Sequence, residues 1–560
     1  MKQRAVLQTE IRRFGKEAPA LFLHFFGWLS ENRLLAVLTG ILTVLMHGAL
    51  LLHSGDVLTD TETYIIQPEN TMDTFVLVGR FGLVLTKKLF GTDGYTPFLF
   101  AAYTLLMLWL LCLCFDFAFS ELMEAGRNKR SCRNRAEQRG RPGLKLFGFY
   151  LLFNLFYLSS PVLVHQYYFI YQSFEVTFAF FLCLFAVVCA FQAAWFGRSA
   201  FWYVPSLLSM VWAFATYQVL VPYYIALNAA FFVAAWLYGK PKSTRELLFV
   251  CGKLVGLFLL GLCGYFLSVR IVLMALYGNR GISYLFSNYL VWGRAPLKDS
   301  LNWILGDVRR VLFPELPAFN RFMCLLFPLS LLLLFANGRR AAKTAGKAGY
   351  WLYVLAVLWT PLSMFLMSFF LGNYQILRAH LVYPLVCAFL CGAFALVPYK
   401  KRILSLALTV FLFFAATEQM TNTGRYYTAM HLTAVEDEAL AREIYAETQK
   451  YRDPEHPEEM PVIFSGWKSQ TPLRVNSLRW DAMGLSFFEI DHGTLSASER
   501  ISRFMTAIGL PTADPTEDDF QKGKKIAADM PVWPLEGSVR YQDGVIVVKL
   551  SEEPKMETQS

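Results

Sequence analysis

Long apolar stretches, separated by short polar loops, dominate residues 1–417. A helix that crosses a membrane needs about 20 mostly apolar residues. Segments of that kind lie near residues 34–52, 97–115, 146–164, 176–195, 201–217, 219–238, 247–274, 322–336, 350–371, 380–398 and 402–417. This pattern predicts an α-helical polytopic membrane protein with about 11 transmembrane helices.

The two ends of the chain follow other patterns. Residues 18–29, within the N-terminal segment 1–33, have the sequence APALFLHFFGWL, which is typical of a helix in the membrane interface. The tail at 418–560 mixes helical periodicity with short strand patterns, which predicts a small α/β module. Its predicted elements are helices over 428–451, 496–509 and 516–530, a strand over 460–467 and a hairpin at Asp543-Gly544. The chain is therefore expected to comprise the N-terminal segment, a transmembrane domain at 34–417 and a tail domain at 418–560.

Composition agrees with a membrane-inserted body. Hydrophobic residues make up 55% of the 560 residues and charged residues only 17%, against about 25% charged in soluble domains. These proportions exclude a soluble single domain, a disordered chain and a disulfide scaffold. The ten cysteines lie in apolar stretches or in a basic loop, so we interpret them as small buried side chains.

Positive charge is distributed unevenly between alternate loops. One set, which includes the N-terminal segment and the basic loop 116–145, carries 25 Lys and Arg residues, and the opposite set carries nine. Because cytoplasmic loops are enriched in Lys and Arg, the N-terminus is predicted to be cytoplasmic. Eleven spans then place the tail outside, in a multi-pass protein of the plasma or inner membrane. The net charge of +10 is thus a topology signal, and nucleic acid is not an expected partner.

The first outer loop, residues 53–96, holds charges that orientation does not explain. Its acidic residues are Asp56, Asp60, Glu62, Glu69, Asp73 and Asp93. Residues 74–90 form an apolar stretch too short to span a membrane, which predicts one helix in the outer interface. On such a helix, positions 73, 80 and 87 fall within about 40° of one line. Asp73, Arg80 and Lys87 are therefore expected on one face, beside the acidic cluster.

Carboxylates beside cations at a membrane surface suit transfer of a sugar from a lipid phosphate. A carboxylate accepts the proton of the attacking hydroxyl, and Arg or Lys stabilises the charge on the leaving phosphate. The competing interpretation is that acidic residues of an exposed loop are only solvated. Asp60 and Asp73 stand out from that background because they lie close to the first span and to Arg80.

Short motifs follow one another in a fixed order along the chain. They are TDTETY at 59–64, VGRFG at 78–82, FIYQSFEVTFAFFLCLFAV at 169–187, FATYQVLVPYYIAL at 214–227 and NYQILRAHLVYP, which contains Arg378, at 373–384. Together they resemble the phage-type O-antigen glucosyltransferase II family, which are membrane glycosyltransferases of the C-type (GT-C) superfamily. The resemblance covers about residues 34–470.

The resemblance implies a GT-C-like fold and transfer of a hexose, glucose in that family, on the outer face. The donor would be a polyprenyl-phosphate sugar, and the acceptor a cell-envelope glycan or a lipid-linked molecule. By analogy with the superfamily, Asp60 is the expected general base, with Glu62 and Asp73 orienting the acceptor. Arg80 and Arg378 would hold the donor phosphate. The family usually has two adjacent acids where this chain has Asp60-Thr61-Glu62, so Glu62 is an alternative base.

Asp56, Glu175, Tyr217 and Gln218 complete the candidate site as acceptor or sugar ligands. An ionisable residue at the end of an apolar span, such as Glu175, is a candidate functional group, and helix capping is the alternative. Tyr217 is equally typical of an interface anchor. The eight histidines are scattered without i,i+4 pairs, so no histidine metal site is predicted. No cofactor is identified, and the acidic loop is compatible with a divalent cation.

Two other classes of function are open. A transporter or flippase for a lipid-linked glycan would show internal repeats and ionisable or broken segments at mid-membrane, whereas the charges here gather at the outer boundary. An envelope polysaccharide polymerase or ligase would place its chemistry in a large late outer loop, whereas this chain has its acids in the first.

Overall fold

The computed structural model describes residues 2–124, 144–239, 242–278, 290–314, 317–396, 402–452, 455–456, 460–468 and 486–552. Most of the basic loop expected at 116–145 lies outside these residues. The chain is predominantly helical, with a small sheet near its C-terminus.

The helices of the described chain are, in order, α1 (Lys2–Glu31), α2 (Arg33–His47), α3 (Ala49–Leu52), α4 (Thr61–Ile66), α5 (Pro68–Leu77), α6 (Phe81–Phe90), α7 (Pro97–Glu124), α8 (Leu144–Leu158), α9 (Pro161–Tyr167), α10 (Ile170–Ala194), α11 (Tyr203–Thr216), α12 (Leu220–Tyr238), α13 (Thr244–Tyr277), α14 (Leu297–Leu312), α15 (Met323–Leu362), α16 (Leu366–Leu371), α17 (Val382–Leu396), α18 (Arg402–Thr448), α19 (Leu495–Ala507) and α20 (Glu517–Ala527). α15 contains a break at Gly346, whose φ of 70° is not helical.

Several of these helices are suited to crossing a membrane. Among the described residues, five are long and apolar enough: Pro97–Met123, Ile170–Ala194, Leu220–Tyr238, Thr244–Tyr277 and Ala345–Leu371. Two bent pairs, α1 with α2 and α8 with α9, raise the number to seven if each pair is one span. Helices also cover most of the described residues in the eleven segments expected from the sequence. By the length and composition of its helices, the chain is compatible with a multi-pass membrane protein.

The N-terminal helix turns sharply into the next one. α1 and α2 meet at an angle of 83°, with Asn32 between them. The helix expected at residues 18–29 is confirmed as a helix, and it is part of the longer α1.

The single helix expected over residues 74–90 is wrong. α5 and α6 are separated by a turn at residues 78–80. Gly79, in this turn, has a φ of 80°, a left-handed conformation that glycine adopts at little steric cost. Three charged residues are expected from the sequence on one helix face: Asp73, Arg80 and Lys87. Because of the turn, they have different surroundings.

The tail contains the predicted elements around a three-stranded sheet. β1 (Val462–Ser465), β2 (Val539–Gln542) and β3 (Val545–Lys549) have the order β1-β3-β2. β3 pairs in parallel with β1 and antiparallel with β2. Asp543 and Gly544 both have positive φ and form the expected hairpin turn between β2 and β3. α19 and α20 occupy the two helical segments expected in this part of the chain.

α18 carries the chain from the last apolar segment into the tail. The helix continues from Arg402 to Thr448, so the domain boundary expected at 417/418 lies within it. Its last turns share a buried cluster with one face of the sheet and with α19, which includes Leu440, Ile444, Val462, Phe464, Ile501 and Phe504. The other face of the sheet packs on α20 through Ile463, Phe520, Val545 and Val547. The tail thus has its own core, although its first helix continues from the apolar body.

α6 lies directly against the backbone of α11. A Cβ atom added at Gly82 would come within 2.7 Å of the Trp212 carbonyl oxygen and 2.9 Å of the Thr216 backbone nitrogen. Both distances are shorter than van der Waals contact, so the absence of a side chain at this position allows the two helices to approach.

We expect Gly82→Ala to destabilise the protein by about 1–3 kcal/mol, because an added methyl group overpacks this contact. Gly256→Ala in α13 is the matched control, since nothing lies within 4 Å of a Cβ at that position. There the higher helix propensity of alanine predicts no loss of stability. Thermal unfolding of the purified protein in detergent micelles measures the stability of both variants. Equal midpoints for Gly82→Ala and the wild type would contradict the proposed packing.

Candidate functional site

The two acids of the TDTETY motif lie at the start of α4. Asp60 directly precedes the helix, and Glu62 is in its first turn. The guanidinium group of Arg500, from α19 of the tail, contacts both: its Nη1 is 2.7 Å from Asp60 Oδ1 and 3.2 Å from Glu62 Oε1. Its Nε is 2.9 Å from Asp491 Oδ2. The tail therefore contributes a cation to the acidic loop.

The backbone of Asp60 is in the left-handed region, with φ 72° and ψ −18°. For a residue with a Cβ atom, this conformation costs on the order of 1 kcal/mol, although Asp and Asn adopt it more readily than most residues. Surrounding contacts maintain it, since the Thr61 amide donates to the Leu58 carbonyl oxygen and Arg500 binds the Asp60 side chain. Strained residues of this kind concentrate at functional sites.

Burial distinguishes the two acids. The Glu62 side chain is fully buried, whereas 40% of the Asp60 side chain is exposed. Burial, and then the charge of Asp60, raise the pKa of Glu62 to about 7, against the opposing effect of Arg500. Glu62 is therefore able to hold a proton near neutral pH, while Asp60 presents an accessible carboxylate.

Tyr171, at the start of α10, lies within electrostatic range of several charged candidates. Its side chain is buried. It interacts electrostatically with four residues expected in the site: Asp60, Glu62, Arg80 and Arg378. These residues come from two distant parts of the chain, residues 60–80 and Arg378, so the fold brings carboxylates and guanidinium groups within electrostatic range of one aromatic side chain.

Arg80 lies beside Tyr217 and Gln218, in the connection between α11 and α12. The guanidinium carbon of Arg80 is 4.6 Å from the centre of the Tyr217 ring, and Arg80 Nε donates to Gln218 Oε1 at 3.2 Å. Gln218 Nε2 donates in turn to the Val78 carbonyl oxygen at 2.8 Å. Arg80 is therefore held between two turns. One is the turn between α5 and α6, and the other is the Tyr217-Gln218 turn between α11 and α12.

Glu175 forms a buried ion pair with Lys87. Its Oε1 is 3.1 Å from Lys87 Nζ, and both side chains are fully buried. The Thr92 hydroxyl donates to the same oxygen at 2.6 Å, and Lys87 also donates to the Tyr171 carbonyl oxygen. The pair thus attaches α6 to the start of α10. This environment favours a structural role for Glu175 over the expected contact with a sugar.

Two further candidate residues, Asp73 and Asp56, form hydrogen bonds with side chains that do not belong to the acid pair. Asp73 accepts a hydrogen bond from the Tyr277 hydroxyl at the end of α13. Asp56 Oδ2 lies 2.8 Å from His431 Nδ1 on α18. Burial raises the pKa of Asp56, while the hydrogen bond and charge of His431 oppose that effect.

A second arginine lies near Arg378. Arg310 Nη2 donates to the carbonyl oxygen of Gln375, three residues before Arg378. Arg310 Nη2 is 2.8 Å from Oδ1 of Asp307, which is fully buried, and His380 Nε2 is 3.2 Å from the same oxygen. Burial alone would raise the pKa of Asp307, but the hydrogen bond and charge of His380, together with Arg310, lower it overall. Asp307 therefore positions the side chains of Arg310 and His380 on this side of the site.

Sequence patterns do not mark Arg500 as a member of the site. Tyr171 belongs to the motif at 169–187 and Arg310 follows an amphipathic stretch, but neither is among the site residues expected from the sequence. Arg500 lies 440 positions from Asp60, and no local pattern distinguishes it from the other charges of the tail. Asp307 and Arg310 lie three residues apart on an amphipathic segment. That spacing is a sequence signal for the second group of charged residues, which comprises Asp307, Arg310 and His380.

Comparisons with protein-family models, with curated proteins and with solved structures find no match for this chain. The function therefore has to be inferred from the geometry and chemistry of the site, and from the short motifs described above.

We expect Lys87→Met to destabilise the protein by about 3–5 kcal/mol, because it leaves the buried Glu175 carboxylate without its cation. Adding Glu175→Gln to this variant should recover part of the loss. Lys88→Met is the matched control: this neighbouring lysine is exposed, and surface changes usually stay within about 0.5 kcal/mol. Thermal unfolding in micelles measures all three, and equal losses for Lys87→Met and Lys88→Met would contradict the buried pair.

Glu62 should make stability depend on pH. Its pKa is about 7 in the folded protein and has an ordinary value of 4.5, so the folded state holds more protons between these values. The free energy of unfolding attributable to Glu62 therefore falls as pH rises through this window. Glu62→Gln is neutral throughout and should show a smaller fall in thermal midpoint between about pH 5 and pH 8. Exposed Glu69→Gln should follow the wild type, and parallel curves for Glu62→Gln and wild type would refute the shift.

Proposed function

We propose that this chain is an integral membrane glycosyltransferase of the GT-C type. It would transfer a hexose, glucose in the family that its motifs resemble, from a polyprenyl-phosphate donor to a cell-envelope glycan or lipid-linked acceptor on the outer face. The supporting observation is that four charged residues lie within electrostatic range of the Tyr171 side chain: Asp60, Glu62, Arg80 and Arg378. Carboxylates close to guanidinium groups fit a reaction in which a hydroxyl loses its proton and a phosphate leaves.

In this reaction Asp60 accepts the proton of the acceptor hydroxyl as the hydroxyl oxygen attacks C1 of the sugar. The bond between C1 and the phosphate oxygen breaks, and its electron pair leaves with the polyprenyl phosphate. Arg80 and Arg378 bind that phosphate, whose negative charge increases as the bond breaks. Partial exposure makes Asp60 rather than Glu62 the acceptor of the proton. Glu62 and Arg500 orient Asp60.

The contact between Arg500 and the acid pair supports the expected topology. A direct ion pair requires the first outer loop and the tail to lie on the same side of a membrane. An even number of crossings must then separate residue 96 from residue 418, as eleven spans imply. A cytoplasmic N-terminus and an extracytoplasmic tail, with about 11 spans in the plasma or inner membrane, belong to this proposal.

Transfer of labelled hexose from a polyprenyl-phosphate donor, in membranes that contain the native acceptor, tests the proposal. Asp60→Asn should lower the rate by about 10²–10⁴-fold, the usual contribution of a general base. Arg80→Ala should lower it by about 10²–10³-fold, as loss of a charge-stabilising donor does. Asp93→Asn and Arg309→Ala, which remove exposed charges of the outer loops, are the matched controls and should keep wild-type activity.

Three other outcomes would contradict the assigned site or indicate another class of protein. Full activity in both Asp60→Asn and Arg80→Ala would remove the site assignment. Wild-type protein that moves a lipid-linked glycan across vesicles without transferring sugar would make it a flippase. Joining of glycan chains without use of the hexose donor would make it a polymerase or ligase.

A further inference from the structure

Two histidines and an aspartate meet close to the acid pair. His53 and Asp56 lie between α3 and α4, and His431 is on α18. The potential ligand atoms of the three side chains all lie within 4.8 Å of one another. His431 Nδ1 is 2.8 Å from Asp56 Oδ2, and the rings of His53 and His431 stack with centroids 3.8 Å apart. Within the part of the chain that the structure describes, no other three histidine, cysteine or acidic side chains come together in this way.

We propose that this group, the His53–Asp56–His431 triad, binds a divalent transition-metal ion, for which Zn²⁺ is the best match. Zn²⁺ is held by imidazole nitrogens at about 2.0–2.1 Å and by carboxylate oxygens at about 2.0–2.2 Å. The ligand atoms around a tetrahedral ion are then roughly 3.3 Å apart, compared with at most 4.8 Å between the potential ligand atoms of the triad. The inference does not depend on the glycosyltransferase function.

The surroundings of the triad favour an ion over a simple ion pair. The bond between His431 and Asp56 does not account for the position of His53, which adds a second imidazole beside the same carboxylate. A cavity of about 20 Å³ is lined by the triad together with Tyr168 and Tyr427, among others. A space of this size holds one water molecule or ion. The site thus combines the ligand types that Zn²⁺ prefers with room for a single occupant.

The bound ion would hold the first outer loop against α18. His53 and Asp56 fix the chain just before Asp60, and His431 belongs to the helix that continues into the tail. Three protein ligands leave a fourth coordination position for water. The expected effect is on stability and on the position of the loop, and no step of sugar transfer passes through the ion.

Metal content measures the proposal directly. The full chain is purified in detergent with a tag that binds no metal, stripped with a chelator, exposed to Zn²⁺ and separated from unbound ion. Wild type should retain about one Zn²⁺ per chain, as expected for one three-residue site. His53→Ala and His431→Ala should weaken binding by at least about 10–100-fold, the loss that even an outer partner of a ligand causes. His492→Ala, at an exposed histidine of the tail, is the matched control and should retain the ion.

A stability measurement separates loss of binding from loss of folding. Zn²⁺ should raise the thermal midpoint of the wild type and of His492→Ala, because a ligand that binds only the folded state stabilises it. The same addition should leave His431→Ala and Asp56→Asn unchanged, and their cooperative transitions without Zn²⁺ show that they are folded. Wild type that retains no Zn²⁺, or triad variants that retain it as the wild type does, would overturn the proposal.

Discussion

The ion pair between Arg500 and the acids of the first outer loop is the contact on which the arrangement of the site depends. It joins residues 440 positions apart and partly compensates the burial of Glu62, whose carboxylate would otherwise face only the Asp60 charge. A buried carboxylate without a cation is costly, so the loop conformation and the docking of α19 stabilise each other. The tail is consequently part of the candidate site and not an appendage to the membrane body.

Most helices and the tail sheet could be predicted from the sequence because their signals are local. Apolar runs of about 20 residues mark helices whatever their neighbours are, and Asp543-Gly544 determines a hairpin by its own backbone preferences. The break between α5 and α6 could not be predicted in the same way. Gly79 permits the turn, but hydrogen bonds from Gln218 and Tyr265, both distant in sequence, stabilise it. A periodicity argument assumes one continuous helix and places Lys87 beside Arg80, whereas Lys87 is buried against Glu175.

The residues of the candidate site also fall into two groups, those with a local sequence signal and those without one. Asp60, Glu62 and Arg80 stand out in the sequence because charge is scarce near an apolar segment, and the resemblance to a family indicates Arg378. Arg500 and His431 lie among the many charged and polar residues of α18 and the tail, where a single cation or histidine carries no pattern. Their importance comes only from the contacts that the fold makes. Scattered histidines therefore gave no sign that His53 and His431 stack.

Two independent links now connect the first outer loop to the tail, one on each side of the turn into α4. The triad holds residues 53–56 against α18, and Arg500 holds Asp60 and Glu62 against α19. The segment between them is short, so fixing both ends restricts the backbone in which Asp60 adopts its left-handed conformation. A strained residue persists only where its surroundings over-determine it. The same restriction fixes the partly exposed carboxylate of Asp60 next to the buried one of Glu62. This difference in burial is the basis of the proposed roles, in which Asp60 would accept a proton and Glu62 would keep its own.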